Sequence, residues 1–268
     1  MRLFELPSEE ELNELHKKEL ERLKANPNNL SFWFPKVKDC GIAVPKTVIV
    51  PIPDELESCF YQEHPSDREK IFHFVKTEIL PKIKTNFGPR IFIKNGCFSD
   101  KFNFKNCYLN SFDEFDLTSG IMAIQYDSLL FETDGHTELV LREFIDYDET
   151  KIPTIYNGMP LRPEFRVFYD FTEHKLLYSV NYWDWNYCYS AISRNATDKL
   201  VYEQYYPTIE KYYTQYKEKV EDLINNAMKQ VDLSDTWSID ILYDSSTDTF
   251  WLIDMALASR SAYWDPQK

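Results

Sequence analysis

Two aspartates, Asp240 and Asp254, stand in the repeated word Ile-Asp inside the apolar runs WSIDILYD and FWLIDMALA. The intervening SSTDT reads as a turn, so the runs predict an antiparallel hairpin, in which facing residues have a constant index sum. A turn centred on Thr247 pairs Tyr243 with Trp251 and Asp240 with Asp254, placing both carboxylates on one face about 5 Å apart at Cβ. Carboxylates this close repel, so in an apolar sheet they share a proton or a cation; on an exposed face they would simply be solvated. Oxygen-only ligands suit Mg2+, which commonly takes one or two carboxylates plus nucleotide phosphates.

Four further groups suit ligand binding, two of them through anion chemistry. Lys94 ends the short strand RIFIK beside a turn whose backbone N–H groups, with Ser99 and Lys101, offer donors to phosphate oxygens. Glu164 and Arg166 share one face of EFRVF; arginine suits bidentate phosphate contact, and the glutamate either orients it or joins a metal site. A plain cross-strand ion pair is the structural alternative. Arg142 and Glu143 interrupt the apolar strand LVLREF, where strand backbone and the side chains of Leu141 and Phe144 suit an adenine edge. Trp183, Trp185 and the tyrosines of NYWDWNYCYS form either a stacking wall or aromatic core.

The elements that must position these groups are read from periodicity and turn chemistry. Ser8 and Glu11 make a capping box for an amphipathic helix over 8–25, striped by Leu12, Leu15, Leu20 and Leu23. LSFWFPKV reads as an aromatic-rich loop leading to a TVIVPIP strand ended by Pro51 and Pro53. Ser66 and Glu69 predict a second capped helix over about 67–85, kinked or shortened by Pro81. Residues 111–131 alternate acidic loop and short helix, and ELVLREFID is a strand. EFRVFYDF and KLLYSVNYW are strands joined by a tight turn at 172–174, and a helix capped by Thr208 covers about 208–231. The expected organisation is α+β: an N-terminal helix (1–30) and two lobes (31–140 and 141–268) with a cleft between them.

Composition narrows the chemistry. The chain has 268 residues and a net charge of −14, which disfavours a broad nucleic-acid or anionic-membrane surface but leaves room for a local basic pocket. The six glycines, at 41, 88, 96, 120, 135 and 158, lie too far apart for a dinucleotide fingerprint, a Walker-type loop or a nucleophile elbow. Five scattered cysteines without a C-x-x-C pair, and five dispersed histidines, predict reduced structural thiols, no zinc site and a cytoplasmic setting. The N-terminus lacks a signal pattern, and no apolar stretch is long enough to cross a bilayer, so no membrane partner is expected.

In order, Trp33-Phe34-Pro35, Phe92-Ile93-Lys94, Val140-Leu141-Arg142, Glu164-Phe165-Arg166 and Leu252-Ile253-Asp254 resemble the ATP-grasp superfamily, over about residues 31–256. Within it they are most similar to the cell-division-cycle branch, whose eukaryotic members are assembly chaperones for translation initiation factor two. The resemblance implies a two-lobed fold with Mg-ATP in the cleft and a C-terminal metal-binding hairpin. By position, Lys94 and Arg166 would contact phosphates in a catalytic role, Val140, Leu141, Arg142 and Glu143 would form the adenine-side strand, and Glu164 would help bind the cofactor. Asp240 and Asp254 would hold Mg2+. Where such proteins usually carry an asparagine as third metal ligand, this chain has Ala256, for which water, Ser259 or Glu164 would have to compensate. Two functions follow: a carboxylate–amine ligase acting through an acyl phosphate, or a nucleotide-loaded assembly chaperone. Besides ATP, the partner would be a protein, a peptide or a small-molecule carboxylate.

Overall fold

A computed structural model describes residues 7–61, 64–110 and 113–268. The first half runs α1 (Glu9–Lys24), α2 (Leu30–Val37), β1 (Thr47–Pro51), α3 (Asp54–Glu57), α4 (Pro65–Phe74), α5 (Leu80–Asn86) and β2 (Ile91–Asn95). Next come α6 (Phe104–Cys107), β3 (Tyr108–Leu109), α7 (Glu114–Leu130), β4 (Glu138–Glu143), β5 (Thr154–Ile155) and β6 (Met159–Pro160). The chain continues with β7 (Glu164–Asp170), β8 (Lys175–Asn181), α8 (Trp185–Ile192), α9 (Ala196–Ala227), β9 (Thr236–Asp244) and β10 (Thr249–Leu257).

The α+β architecture rests on two four-stranded antiparallel sheets, ordered β1-β4-β2-β3 and β10-β9-β7-β8. On the first sheet, Ile91, Ile93, Leu139 and Leu141 face a core shared with Ile71, Ile121 and Ile124 of α4 and α7. On the second, Phe165, Val167, Ile239 and Ile241 pack with Val220 and Ile224 of α9. Alternation along each strand then leaves the other face for polar groups. α9 enters the first core through Tyr202 and Ile209 and ends in the second, joining the two.

Several helix expectations needed correction. Residues 30–37 are helix α2, not loop, because Leu30, Trp33, Phe34 and Val37 recur at helical spacing and bury one stripe. Pro35 is tolerated on the exposed side, and the Glu138 carboxylate accepts the Ser31 amide at 3.1 Å, satisfying a free N-terminal donor. His64, rather than Ser66, caps α4, with Pro65 at its first turn. Pro81 does not stop the helix: a π-helical turn over Val75–Ile79 precedes it, and Pro81 falls in the first turn of α5. α7 is one 17-residue helix capped by Asp113. α9 starts twelve residues before the expected Thr208, at Ala196, capped by Asn195 and running through Pro207. α1 has the expected Ser8–Glu11 box, but only Leu20 and Leu23 of its stripe are buried.

Candidate active-site cleft

Between the sheets lies a cavity of about 200 Å³. From the first sheet come Phe92 and Lys94 of β2 and Arg142 and Glu143 of β4; from the second, Glu164 and Arg166 of β7, Asp240 and Leu242 of β9, and Ile253 and Asp254 of β10. Phe144, Ile145, Met159 and Pro160 add an apolar wall, and Ser99 and Lys101 a polar rim. Strand register explains the gathering. Arg142 faces Phe92, two pairs along from Lys94 and Val140 and so on the same sheet face, while Arg166 faces Asp240, which faces Asp254.

The hairpin pairing arises differently from the simple index sum. From the turn, facing residues sum to one less than expected, so Tyr243 pairs with Phe250, not Trp251. A bulge between Leu252 and Asp254 then shifts the register and brings Asp254 opposite Asp240. The bulged Ile253 also exposes its carbonyl, which accepts Nη1 of Arg142.

Neither aspartate shares its charge with the other; each has a cation. Arg166 holds Asp240 bidentately, Nε to Oδ1 at 2.8 Å and Nη2 to Oδ2 at 2.7 Å. Lys94 Nζ lies 2.8 Å from Asp254 Oδ2. Burial works against the Arg166 charge, but Asp240 outweighs it and holds the guanidinium above its ordinary pKa. Among the described residues no group of three or more His, Cys, Asp or Glu side chains is placed to hold a metal.

Other groups in the cleft are less well paired. Burial pushes the Glu164 carboxyl up to about 7, despite the nearby Lys101, whose own pKa burial lowers. Lys101 Nζ sits 4.2 Å over the Tyr182 ring. Arg142 donates Nε to Thr47 Oγ1 at 3.1 Å, and burial brings its pKa down to about 10. Arg162 donates Nη1 to the Ile145 carbonyl at 3.0 Å. Two nitrogens of these guanidiniums, Nη2 of Arg142 and Nε of Arg162, are buried without a hydrogen-bond partner among the described residues.

Lys94, Arg142, Glu143, Glu164, Arg166, Asp240 and Asp254 thus meet in one cleft, together with Ser99 and Lys101. Val140 and Leu141 do not line it: Val140 packs against α2 in the second core and Leu141 in the first. Ser259 is exposed and lies outside the lining, and Ala256 pairs with Ser238. The turn after Lys94 offers fewer donors than expected, because Asn95 Oδ1 accepts Cys97 N at 3.0 Å and Phe98 N at 2.6 Å, and Gly135 O accepts Gly96 N. Gly96 is closely surrounded: a Cβ there would meet Glu138 Oε1 at 2.7 Å and Asn29 Oδ1 at 2.8 Å, so those side chains would have to shift. Of the aromatic wall only Tyr182 reaches the cleft; Trp183 is buried, and Trp185 stacks between Tyr189 and Tyr202. Sequence reasoning missed Arg162, which lies two residues before β7 and continues the spacing of Glu164 and Arg166 into the cleft.

No protein-family model matches the sequence, and no curated protein is significantly similar to it. Solved structures are. The chain has an ATP-grasp-like fold. It resembles in particular C-terminally truncated Cdc123 from Schizosaccharomyces pombe, at 15% identity and TM-score 0.50, over 88% of this chain and 85% of that one. VanG D-Ala:D-Ser ligase from Enterococcus faecalis matches at 13% identity and TM-score 0.45, over 87% of this chain and 53% of that chain. N5-carboxyaminoimidazole synthetase from Staphylococcus aureus, complexed with ADP, matches at 10% identity and TM-score 0.42, over 85% of this chain and 44% of that chain. The chain spans about half the length of these two enzymes. All five cysteines are free, and among the described residues no helix is long and apolar enough to cross a membrane.

Proposed function

We propose that the cleft binds ATP between lobes formed by residues 31–140 and 141–268. The observation that carries this reading is electrostatic. In a chain of net charge −14, Lys94, Lys101, Arg142, Arg162 and Arg166 converge on one small cavity, two of them with buried nitrogens that lack partners among the described residues. Buried donors without acceptors are destabilising, and an anion relieves them. The apolar wall of Phe92, Phe144, Ile145, Met159 and Leu242 suits a base. A cavity of about 200 Å³ is smaller than sites that enclose a drug-sized ligand. Part of a nucleotide therefore extends through its open mouth.

The facing carboxylates of Asp240 and Asp254 are an oxygen-only donor set of the kind Mg2+ accepts alongside phosphates. Bound there, the ion would supply charge neutralisation. Lys94 would then turn from Asp254 toward phosphate oxygens, and Arg166 would offer them the N–H groups that Asp240 leaves free.

For the role of the nucleotide, Ala256 supports partner binding over turnover. It offers no third ligand, and the ordered turn at 95–98 makes no mobile glycine-rich cover to keep water from a reactive acyl phosphate. We therefore infer a nucleotide-loaded binding module of the assembly-chaperone kind, with a carboxylate–amine ligase as the second reading.

At a hundredfold excess over Kd, Mg-ATP should raise Tm by about 5–10 °C for a chain of this size. Asp254→Asn and Lys94→Ala should abolish the shift. No shift in the wild type removes the ATP reading. ADP release with mixed carboxylates and amines selects the ligase; tight binding without turnover, with a stoichiometric protein partner, selects the binding module.

A further inference from the structure

The cleft face of β7 carries Glu164, Arg166, Phe168 and Asp170 in alternation. Phe168 is fully buried yet belongs to neither hydrophobic core. It is covered by the segment after β10. The Trp264 ring lies 5.3 Å from that of Phe168 and 6.4 Å, nearly parallel, from that of Tyr178. The Tyr178 hydroxyl donates to the Tyr263 carbonyl at 3.0 Å and accepts the Asp265 amide at 2.9 Å.

Tyr263 is left-handed, with φ 68°, a conformation that persists in a bulky residue only where its surroundings impose it. Its hydroxyl donates to the Tyr182 carbonyl at 2.7 Å, and its ring stands 4.1 Å from that of Tyr187. Ala262, immediately before Tyr263, offers its carbonyl to Arg166 Nη1 at 3.3 Å. The same guanidinium stacks 4.7 Å over the Tyr182 ring and gives Nε and Nη2 to Asp240. Three of its five N–H groups are thereby engaged, leaving one on each terminal nitrogen.

We propose that Ser261–Asp265 is a positioning strap for Arg166. The Ala262 carbonyl, held by Tyr263 and Trp264, fixes the rotation of the guanidinium so that its remaining N–H groups face an anion in the cleft. No residue of the strap lines the cavity, so it acts through Arg166 rather than by contact with ligand. The proposal rests on the ATP reading above.

The test is calorimetric titration of the full chain with Mg-ATP. Tyr263→Phe and Trp264→Ala should each weaken binding about tenfold, the loss of one well-directed charge-assisted hydrogen bond. Trp264→Phe keeps a stacking ring and should restore affinity to within about twofold of wild type. In an Arg166→Lys background, which has no planar fork to orient, Trp264→Ala should weaken binding by no more than about twofold. Unchanged or tighter binding by Tyr263→Phe and Trp264→Ala, or equal weakening in both backgrounds, overturns the strap and leaves the ATP reading intact. A wild type that binds no ATP overturns both. If Trp264→Ala does not fold, Tyr263→Phe, which deletes one hydroxyl, decides alone.

Discussion

The ion pair between Lys94 and Asp254 is asymmetric, and its two halves should respond differently to removal. The Lys94 side chain is 2% exposed and that of Asp254 37%. Asp254→Ala strands a buried ammonium, whereas Lys94→Met leaves a carboxylate that water already reaches. Breaking a buried pair from one side costs about 3–5 kcal/mol. With one partner more than a third exposed, solvent screening reduces this to about 2 kcal/mol for Asp254→Ala. For a chain of this length that lowers Tm by about 4–8 °C. Lys94→Met fills the same volume with an apolar stem and should move Tm by about 2 °C or less in either direction. The assay is thermal unfolding without nucleotide, with urea unfolding as a second measure that checks m is unchanged. Equal losses, or a larger loss for Lys94→Met, would refute the assignment of Lys94 as the desolvated partner. Adding Mg-ATP separates stability from function, since neither variant should then show the wild-type stabilisation.

Two further outcomes follow from the cleft. Because burial raises the Glu164 pKa to about 7, well above that of an exposed carboxyl, the folded state holds a proton the unfolded chain has lost. Stability from this group therefore falls as pH rises from about 4.5 to about 7, and Glu164→Gln should gain on wild type across that window in denaturant midpoints; parallel curves would be the contrary result. Arg142→Met should cost the unliganded fold less than about 1 kcal/mol, since it removes a buried, incompletely paired charge, yet weaken ATP binding at least about tenfold by titration. Unchanged affinity would remove Arg142 from the site.

What was legible followed from local rules. Alternation exposed the Glu164–Arg166 face, and the flanking apolar words located all four strands of the second sheet. The facing of Asp240 and Asp254 was read from a uniform register, but it is produced by a turn displaced by half a residue and a bulge that restores the sum. A bulge carries no composition signal here. In α2, Pro35 disfavours a helix by local propensity, and the burial of Trp33 and Phe34 in the second core outweighs that preference. Arg162 lies between Pro160 and Pro163, ahead of the strand word EFRVF, so the strand pattern does not reach it. The strap has neither period, and its role depends on where β10 delivers it.

The pairing of the cleft also decides which residues could give binding its net free energy. Lys94 and Arg166 already hold carboxylates, so a phosphate that engages them must displace or share an existing ion pair, and gains little unless Asp240 and Asp254 acquire a new counter-charge. Nη2 of Arg142 and Nε of Arg162 have no such debt. Each is a buried donor whose missing partner costs the free protein about 1–3 kcal/mol, and a ligand oxygen recovers that without breaking anything. The cation-independent part of the affinity should then come from these two arginines at the apolar end of the cleft, while Lys94, Arg166 and the facing aspartates supply the larger part that depends on a divalent cation. Linkage makes the dependence reciprocal: if Mg2+ tightens ATP, ATP must tighten Mg2+ by the same factor. A protein built this way can be loaded with nucleotide without being organised to consume it, which is why Ala256 and the tied turn at 95–98 are compatible with a cation-rich site.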